Sequence, residues 1–232
     1  MQQVSAIIVA AGSGSRLGSA LPKAFVLLGG QTILLYSLRT LARVTAPVVE
    51  LVLAVPAGTE RAARVEINAA GLELPVKITA GGRERQESVR IALALTSAES
   101  ELVVVHDAAR PFASPELFQR CLERAEQMGA VIAAIPVADT LKRVEQSRCI
   151  SSTVGRAGLW QAQTPQAFVR DLLIEAHERA SQNQIVATDD ADLVERIGHK
   201  VEVVEGSPLN LKITTPDDLT LAEALATRLF PR

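Results

Sequence analysis

Six short apolar runs constrain this chain more than any other feature. They lie at 4–9, 48–55, 76–79, 102–106, 130–137 and 201–204, and several are apolar at nearly every position. Runs without polar alternation, rich in β-branched residues, mark strands covered on both faces, as in a parallel sheet. Helical patterns stand between them at 32–44, 59–70, 84–98, 115–128 and 171–182. Ser114-Pro115-Glu116 supplies an N-cap, a proline at the first helical position and an acid in the first turn. Thr215-Pro216-Asp217-Asp218 adds capping-box spacing and opens a last helix reaching about residue 229. The alternation predicts an α/β fold. It should be one domain over residues 1–232, a three-layer α/β/α sandwich on a mostly parallel sheet.

One stretch departs from that rhythm. Residues 138–154 read as two short strands, around 140–144 and 150–154, joined by Glu145-Gln146-Ser147-Arg148. A two-stranded ribbon of this size buries no core of its own. It is expected to protrude as a β-arm and pack on another subunit.

The chain has 232 residues, 48% hydrophobic and 22% charged, with a net charge of −2. That suits a globular core and gives no overall basic field, which argues against nucleic-acid or membrane-surface binding. Cys121 and Cys149 fit neither a zinc motif nor a disulfide framework, so two reduced thiols in a cytoplasmic protein are expected. The first apolar run lacks a preceding basic region and is too short for a membrane span, so neither a leader nor a span is expected. His106, His177 and His199 are too scattered for a histidine metal site.

Chemistry concentrates in loops that follow apolar runs. Ala10-Ala11-Gly12-Ser13-Gly14-Ser15-Arg16 comes directly after the first, beyond the carboxyl end of a strand, where open α/β sheets bind ligands. Gly12 and Gly14 let backbone N–H groups approach and surround phosphate oxygens. Arg16 adds a fixed positive charge. Lys23, held by Pro22, adds a second. The spacing departs from Gly-x-Gly-x-x-Gly and from Gly-x-x-x-x-Gly-Lys-Ser/Thr, which disfavours a dinucleotide oxidoreductase and a P-loop ATPase.

His106-Asp107-Ala108-Ala109-Arg110-Pro111 closes another strand. Asp107 is expected to face the same crevice and is the candidate ligand for Mg²⁺ bridging phosphate oxygens. Arg110 either pairs with Asp107 or presents its fork to a phosphate. Gly81-Gly82 opens a second glycine-led loop suited to backbone contact with a base or ribose, with Ser88 as a hydrogen-bond donor. Arg83 and Arg85 face the ligand there or form surface salt bridges with Glu84 and Glu87. Asn210-Leu211-Lys212 returns Lys212 to the sheet's carboxyl end. Thr188 is expected to cap a helix, and Trp160 to anchor a core or an interface.

Together these segments resemble the 2-C-methyl-D-erythritol 4-phosphate cytidylyltransferases. The matching pieces are the first loop, Pro22-Lys23, Gly81–Val89, His106–Pro111, Asp139-Thr140-Leu141-Lys142-Arg143, Thr164-Pro165-Gln166 and Asn210-Leu211-Lys212-Ile213-Thr214. The resemblance implies a nucleotidyltransferase-type sheet, a homodimer exchanging β-arms, CTP as co-substrate and Mg²⁺ as cofactor. It places Ala10, Ala11, Gly12, Ser13 and Gly14 on the nucleotide. Gly81, Gly82 and Ser88 fall on its cytosine. Arg16 and Lys23 fall on the pair that stabilises charge at the α-phosphate, and Arg156 and Lys212 on the pair that positions methylerythritol phosphate. Asp107, Arg110, Thr140 and Thr164 fall near that acceptor, with Thr140 coming from the neighbouring subunit. Leu209 stands where some relatives carry an acid, leaving Asp107 as the single metal candidate. The chain closes soon after its last helix, so the cyclase domain fused to some relatives is not expected.

The chemistry so implied is in-line attack of an acceptor phosphate oxygen on the α-phosphorus of CTP, with release of pyrophosphate. The attacking oxygen is already ionised, so no general base is required. The rivals are a cytidylyltransferase for ribitol 5-phosphate or another sugar phosphate, and a non-catalytic nucleotide-binding regulator. Two cation clusters exceed what binding alone needs, which weighs against the regulator.

Overall fold

The computed structural model describes residues 2–12, 14–19 and 21–230. Seven strands form the central sheet in the order β11-β7-β10-β6-β1-β4-β5. They are β1 (Val4–Val9), β4 (Val48–Val55), β5 (Val76–Ala80), β6 (Leu102–Asp107), β7 (Ala130–Pro136), β10 (Trp160–Val169) and β11 (Glu202–Glu205). All neighbours run parallel except β10, which is antiparallel to both β6 and β7.

Alternate residues feed two cores. Ala6, Ile8, Leu51, Leu53 and Val104 pack with α1 (Ile33–Leu41), α2 (Glu60–Ala70) and α4 (Pro115–Met128). Ile7, Val52, Ala54, Val103 and Val105 pack on the opposite face with α3 (Arg85–Leu93), α5 (Arg170–Gln182) and α6 (Asp190–Arg196). Both faces are thus covered, as the unalternating runs required. A third cluster lies under α7 (Pro216–Leu229) and the short ribbon of β2 (Leu27–Leu28) and β3 (Gln31–Thr32). It includes Leu17 and Ile213, so it ties the first loop to the segment bearing Lys212.

The structure departs from sequence expectation at three places. β10 is unanticipated, because polar residues and Pro165 demote its sequence as a strand. Its pairing with β7 breaks register between Ala162 and Gln166, so the proline sits where the ladder skips. The helix expected over 84–98 ends at Leu93, where the Thr96 hydroxyl and N–H both turn back onto the Leu93 carbonyl. Asp189, rather than Thr188, caps α6, its carboxylate accepting the Asp192 N–H at 3.0 Å. Of the two places expected for Trp160, the core is excluded, because it opens β10 with 45% of its surface exposed.

The expected ribbon is present as β8 (Leu141–Val144) paired antiparallel with β9 (Ile150–Val154), outside the main sheet. Val144 and Ile150 face each other across it at 53% and 62% exposure.

Candidate active site

The carboxyl ends of β1, β5 and β6 open on a cleft of about 400 Å³. Its walls are the first loop, the loop into α3, the turn after β6, and Lys212 with Thr214.

The first loop is anchored by the Ala10 N–H, which donates to the Ala54 carbonyl at 2.8 Å. Gly14 lies at φ +72°, and a Cβ there would press on the Lys23 backbone and Cβ from 3.0 Å. Only glycine allows both the left-handed turn and this approach. One 3₁₀ turn, Ser15–Leu17, buries Leu17 and presents exposed Arg16. A second, Lys23–Phe25, follows Pro22 and aims Lys23 into the cleft. There its ammonium donates to the Ile213 carbonyl at 3.1 Å. Burial, then the charges of Lys212 and Arg16, push the Lys23 ammonium below its usual range. Three cations therefore stand close enough for Lys23 to feel the other two, an arrangement that suits an anion. Ser13 lies outside the described residues.

The two glycine loops interlock. A Cβ on Gly81 would run into Ala11 and the Ser88 hydroxyl, and one on Gly82 into Glu87. Ser88 is buried, accepting the Gly82 N–H and donating to the Glu84 carbonyl, each at 3.0 Å. Its hydroxyl hydrogen is thus spent on shaping the loop, and the backbone remains to meet a ligand.

Asp107 ends β6 with both carboxylate oxygens paired. Arg85 Nε donates to Oδ1 at 2.8 Å and Lys212 Nζ to Oδ2 at 2.6 Å. Burial alone would raise this carboxyl, but the two cations outweigh it and hold the group far below the ordinary carboxylate range. Lys212 therefore reaches the same site edge as expected. Arg85 corrects the surface-salt-bridge alternative: its Nη1 donates to buried Asp190 at 2.8 Å instead of meeting Glu84 or Glu87. Local sequence gives no signal for that role, because Asp190 lies 105 residues away.

Arg110 turns to backbone carbonyls rather than to Asp107. Its guanidinium donates to the Asn210 carbonyl at 2.8 Å and the Ala162 carbonyl at 3.2 Å. With Ile213 N–H donating to the Ala109 carbonyl, it clamps the Lys212 segment against the turn after β6. Thr164 lies behind Asp107, 4% exposed, and its hydroxyl accepts the Asp107 N–H at 3.0 Å. Burial pushes His106 down to about 4, so its ring is neutral at physiological pH. Nε2 then donates to the Arg110 carbonyl, and Nδ1 accepts from the Thr164 hydroxyl. The histidine is a buried strut with no proton to offer the cleft.

Arg156 and Thr140 are not brought to this cleft within the chain. Both are exposed at the arm, and Arg156 donates to the Ala138 carbonyl. No group of three or more His, Cys, Asp or Glu among the described residues is placed to hold a metal, and the Leu209 side chain carries no oxygen. A single carboxylate still suits Mg²⁺, which binds through one or two carboxylates plus substrate phosphates.

A covered α/β sheet with a glycine loop, converging cations and one paired carboxylate at its carboxyl edge defines a nucleotidyltransferase. The sequence profile of the 2-C-methyl-D-erythritol 4-phosphate cytidylyltransferases matches residues 4–228. The chain belongs to that family. It is 45% identical over 229 residues to the enzyme of that name from Syntrophus aciditrophicus, covering 96% of this chain and 95% of the relative. The Deinococcus radiodurans enzyme is 46% identical, covering 96% of this chain and 89% of the relative. Among solved structures, 4-diphosphocytidyl-2C-methyl-D-erythritol synthase from Anaerococcus prevotii superposes with TM-score 0.86 at 32% identity, covering 98% and 97%. The cytidylyltransferase from Thermus thermophilus gives 0.79 at 38% identity, covering 95% and 97%.

Proposed function

We propose that this chain transfers CMP from CTP to 2-C-methyl-D-erythritol 4-phosphate, giving 4-diphosphocytidyl-2-C-methyl-D-erythritol and pyrophosphate. The observation that carries the reading is the convergence of Arg16, Lys23 and Lys212 beside Asp107 in a cleft walled by two glycine loops. An acceptor phosphate oxygen forms a bond to the α-phosphorus as the bond to pyrophosphate breaks, so no proton need be removed. The protein's task is to bring two anions together and neutralise charge at the α-phosphate.

Arg16 and Lys23 serve the α-phosphate, and the Gly12 and Gly14 backbone the remaining phosphates. The Gly81-Gly82 backbone, shaped by Ser88, reads the cytosine. Lys212 serves the acceptor phosphate, with Arg110 and Thr164 acting through the segments they hold. Mg²⁺ would be held by Asp107 and would supply charge neutralisation on the triphosphate. Arg156 and Thr140 are proposed to reach the cleft of a second copy. The exposed Val144 and Ile150 and the absence of a core within the ribbon support that homodimer. Both cysteines are free, which fits the reducing cytoplasm we propose as its location. No helix among the described residues is long and apolar enough to cross a membrane.

Pyrophosphate release tests the activity. CTP with 2-C-methyl-D-erythritol 4-phosphate should give rapid turnover, and ribitol 5-phosphate little. Preference for ribitol 5-phosphate would overturn the acceptor. Tight CTP binding without release from any acceptor would overturn catalysis.

A further inference from the structure

A buried chain of polar groups reaches the active carboxylate from the far helices. His177 on α5 meets Asp190 Oδ1 at 3.1 Å, Asp190 Oδ2 accepts Arg85 Nη1 at 2.8 Å, and Arg85 Nε meets Asp107 Oδ1 at 2.8 Å. His177 and Asp190 are each 1% exposed. They lie outside the cleft wall, whereas Arg85 and Asp107 form part of it. Four elements, α5, α6, α3 and β6, are linked end to end.

We propose that His177, Asp190 and Arg85 are positioning residues that set the Asp107 carboxylate for a divalent cation. The proposal rests on the reading above that Asp107 is the protein's Mg²⁺ ligand.

Energetics favour a positional role. Buried ion pairs add little net stability, because desolvation offsets their attraction, but they fix direction. Asp107 sits between two cations that differ in kind. Lys212 is a flexible ammonium on the cleft wall, 39% exposed at its side chain, and can leave Oδ2. Arg85 is planar, and Asp190 grips its other edge, so it cannot swing without breaking a second buried pair. His177 in turn denies Asp190 an alternative pose. Oδ1 therefore stays with Arg85 while Oδ2 is the oxygen available for exchange. Without Asp190, Arg85 would be free to turn wholly onto Asp107 and draw it from that pose. Partners that orient a metal's ligand typically contribute about 10–100-fold to metal affinity.

The test is CTP affinity by titration calorimetry, in MgCl₂ and in EDTA, for wild type, Asp190→Asn, His177→Phe, His177→Gln and Arg85→Lys. Asp190→Asn, His177→Phe and Arg85→Lys should each weaken binding in MgCl₂ about 10-fold or more. Binding in EDTA should hold within about twofold for the two buried changes, and Arg85→Lys should lose clearly more in MgCl₂ than in EDTA. His177→Gln keeps an amide donor for Asp190 and should restore the Mg²⁺-dependent gain. Arg85→Lys, on the cleft wall, decides the matter if the buried changes unfold the protein. Equal losses in both buffers, or none in either, would overturn the relay alone. A wild type that gains nothing from Mg²⁺ would overturn the metal assignment of Asp107, and the purpose of the relay with it.

Discussion

Lys23 is held where burial and two neighbouring cations all disfavour its charge. Charge accumulating at an α-phosphate relieves that cost most in the transition state, which is how a fixed cation accelerates transfer rather than merely binding. Lys23→Ala and Arg16→Ala should therefore lower kcat about 10²–10³-fold, about 2.7–4 kcal/mol each, with circular dichroism unchanged. Near-normal turnover in either variant would remove the α-phosphate role. The same residue scale separates the two thiols. Burial pushes Cys121 up to about 12, so at pH 8 it stays a protonated, inert thiol, and it becomes the reactive thiolate only as pH rises through that value. Cys149 is exposed. A thiol-specific reagent at pH 8 should modify Cys149 alone in native protein and both cysteines in denaturant; rapid native labelling of Cys121 would contradict its burial. Legibility also divides by residue. Arg16, Lys23, Asp107 and Lys212 could be gathered from sequence because each follows or precedes a strand at one sheet edge. Arg85, Arg110 and Thr164 could be picked out too, but not what they hold, because their partners are set by tertiary contacts far away in sequence.

Elements were readable in proportion to how much burial dictated their composition. The inner parallel strands β1, β4, β6 and β7 are covered on both faces, so solvent left little polar imprint, and five of the six apolar runs start on the first residue of the observed strand and end within one residue of its last. The sixth, 201–204, is displaced by a single residue onto Glu202–Glu205. β10 failed to announce itself because its buried polar groups are satisfied by specific partners: Gln163 meets Ser207 and Asn210, and Gln166 meets Asp189. α6 is one of the shortest helices and carries too few turns for periodicity to register. α7 was legible from its start, and its capping box is complete in the structure. Thr215→Ala should cost about 1 kcal/mol. It should shift the urea midpoint without changing the slope. The effect stays modest because Asp218 still accepts the Thr214 and Thr215 N–H groups, each at 2.8 Å. The ribbon of β8 and β9 makes the opposite case, an element formed without a core. A single two-stranded ribbon is marginal in water. Ile150→Asp should leave the main sheet folded and convert a dimer to monomer in sedimentation; an unchanged dimer would place the interface elsewhere.

Across the whole molecule, the cleft and the arm are unequal halves of one proposed site. The cleft collects Arg16, Lys23, Asp107 and Lys212 from one chain, while Arg156 and Thr140 stay exposed at the arm. If each arm completes its partner's cleft, lesions in the two halves must complement. Lys212→Ala alone and Arg156→Ala alone should both be nearly inactive as homodimers. In a mixed dimer, the Arg156→Ala subunit keeps its own Lys212 and receives an intact Arg156 from its partner, so one cleft of the pair is whole. The other cleft carries both lesions. Unfolding and refolding the two variants together yields mixed dimers as about half of the population, each with one working site, so about one quarter of wild-type turnover should return. Arms that served their own chain would give no recovery at any ratio, because every cleft would then carry one of the two lesions. The mixing experiment thus separates a shared site from a dimer that merely buries two ribbons, a distinction that mutation of either residue alone leaves unresolved.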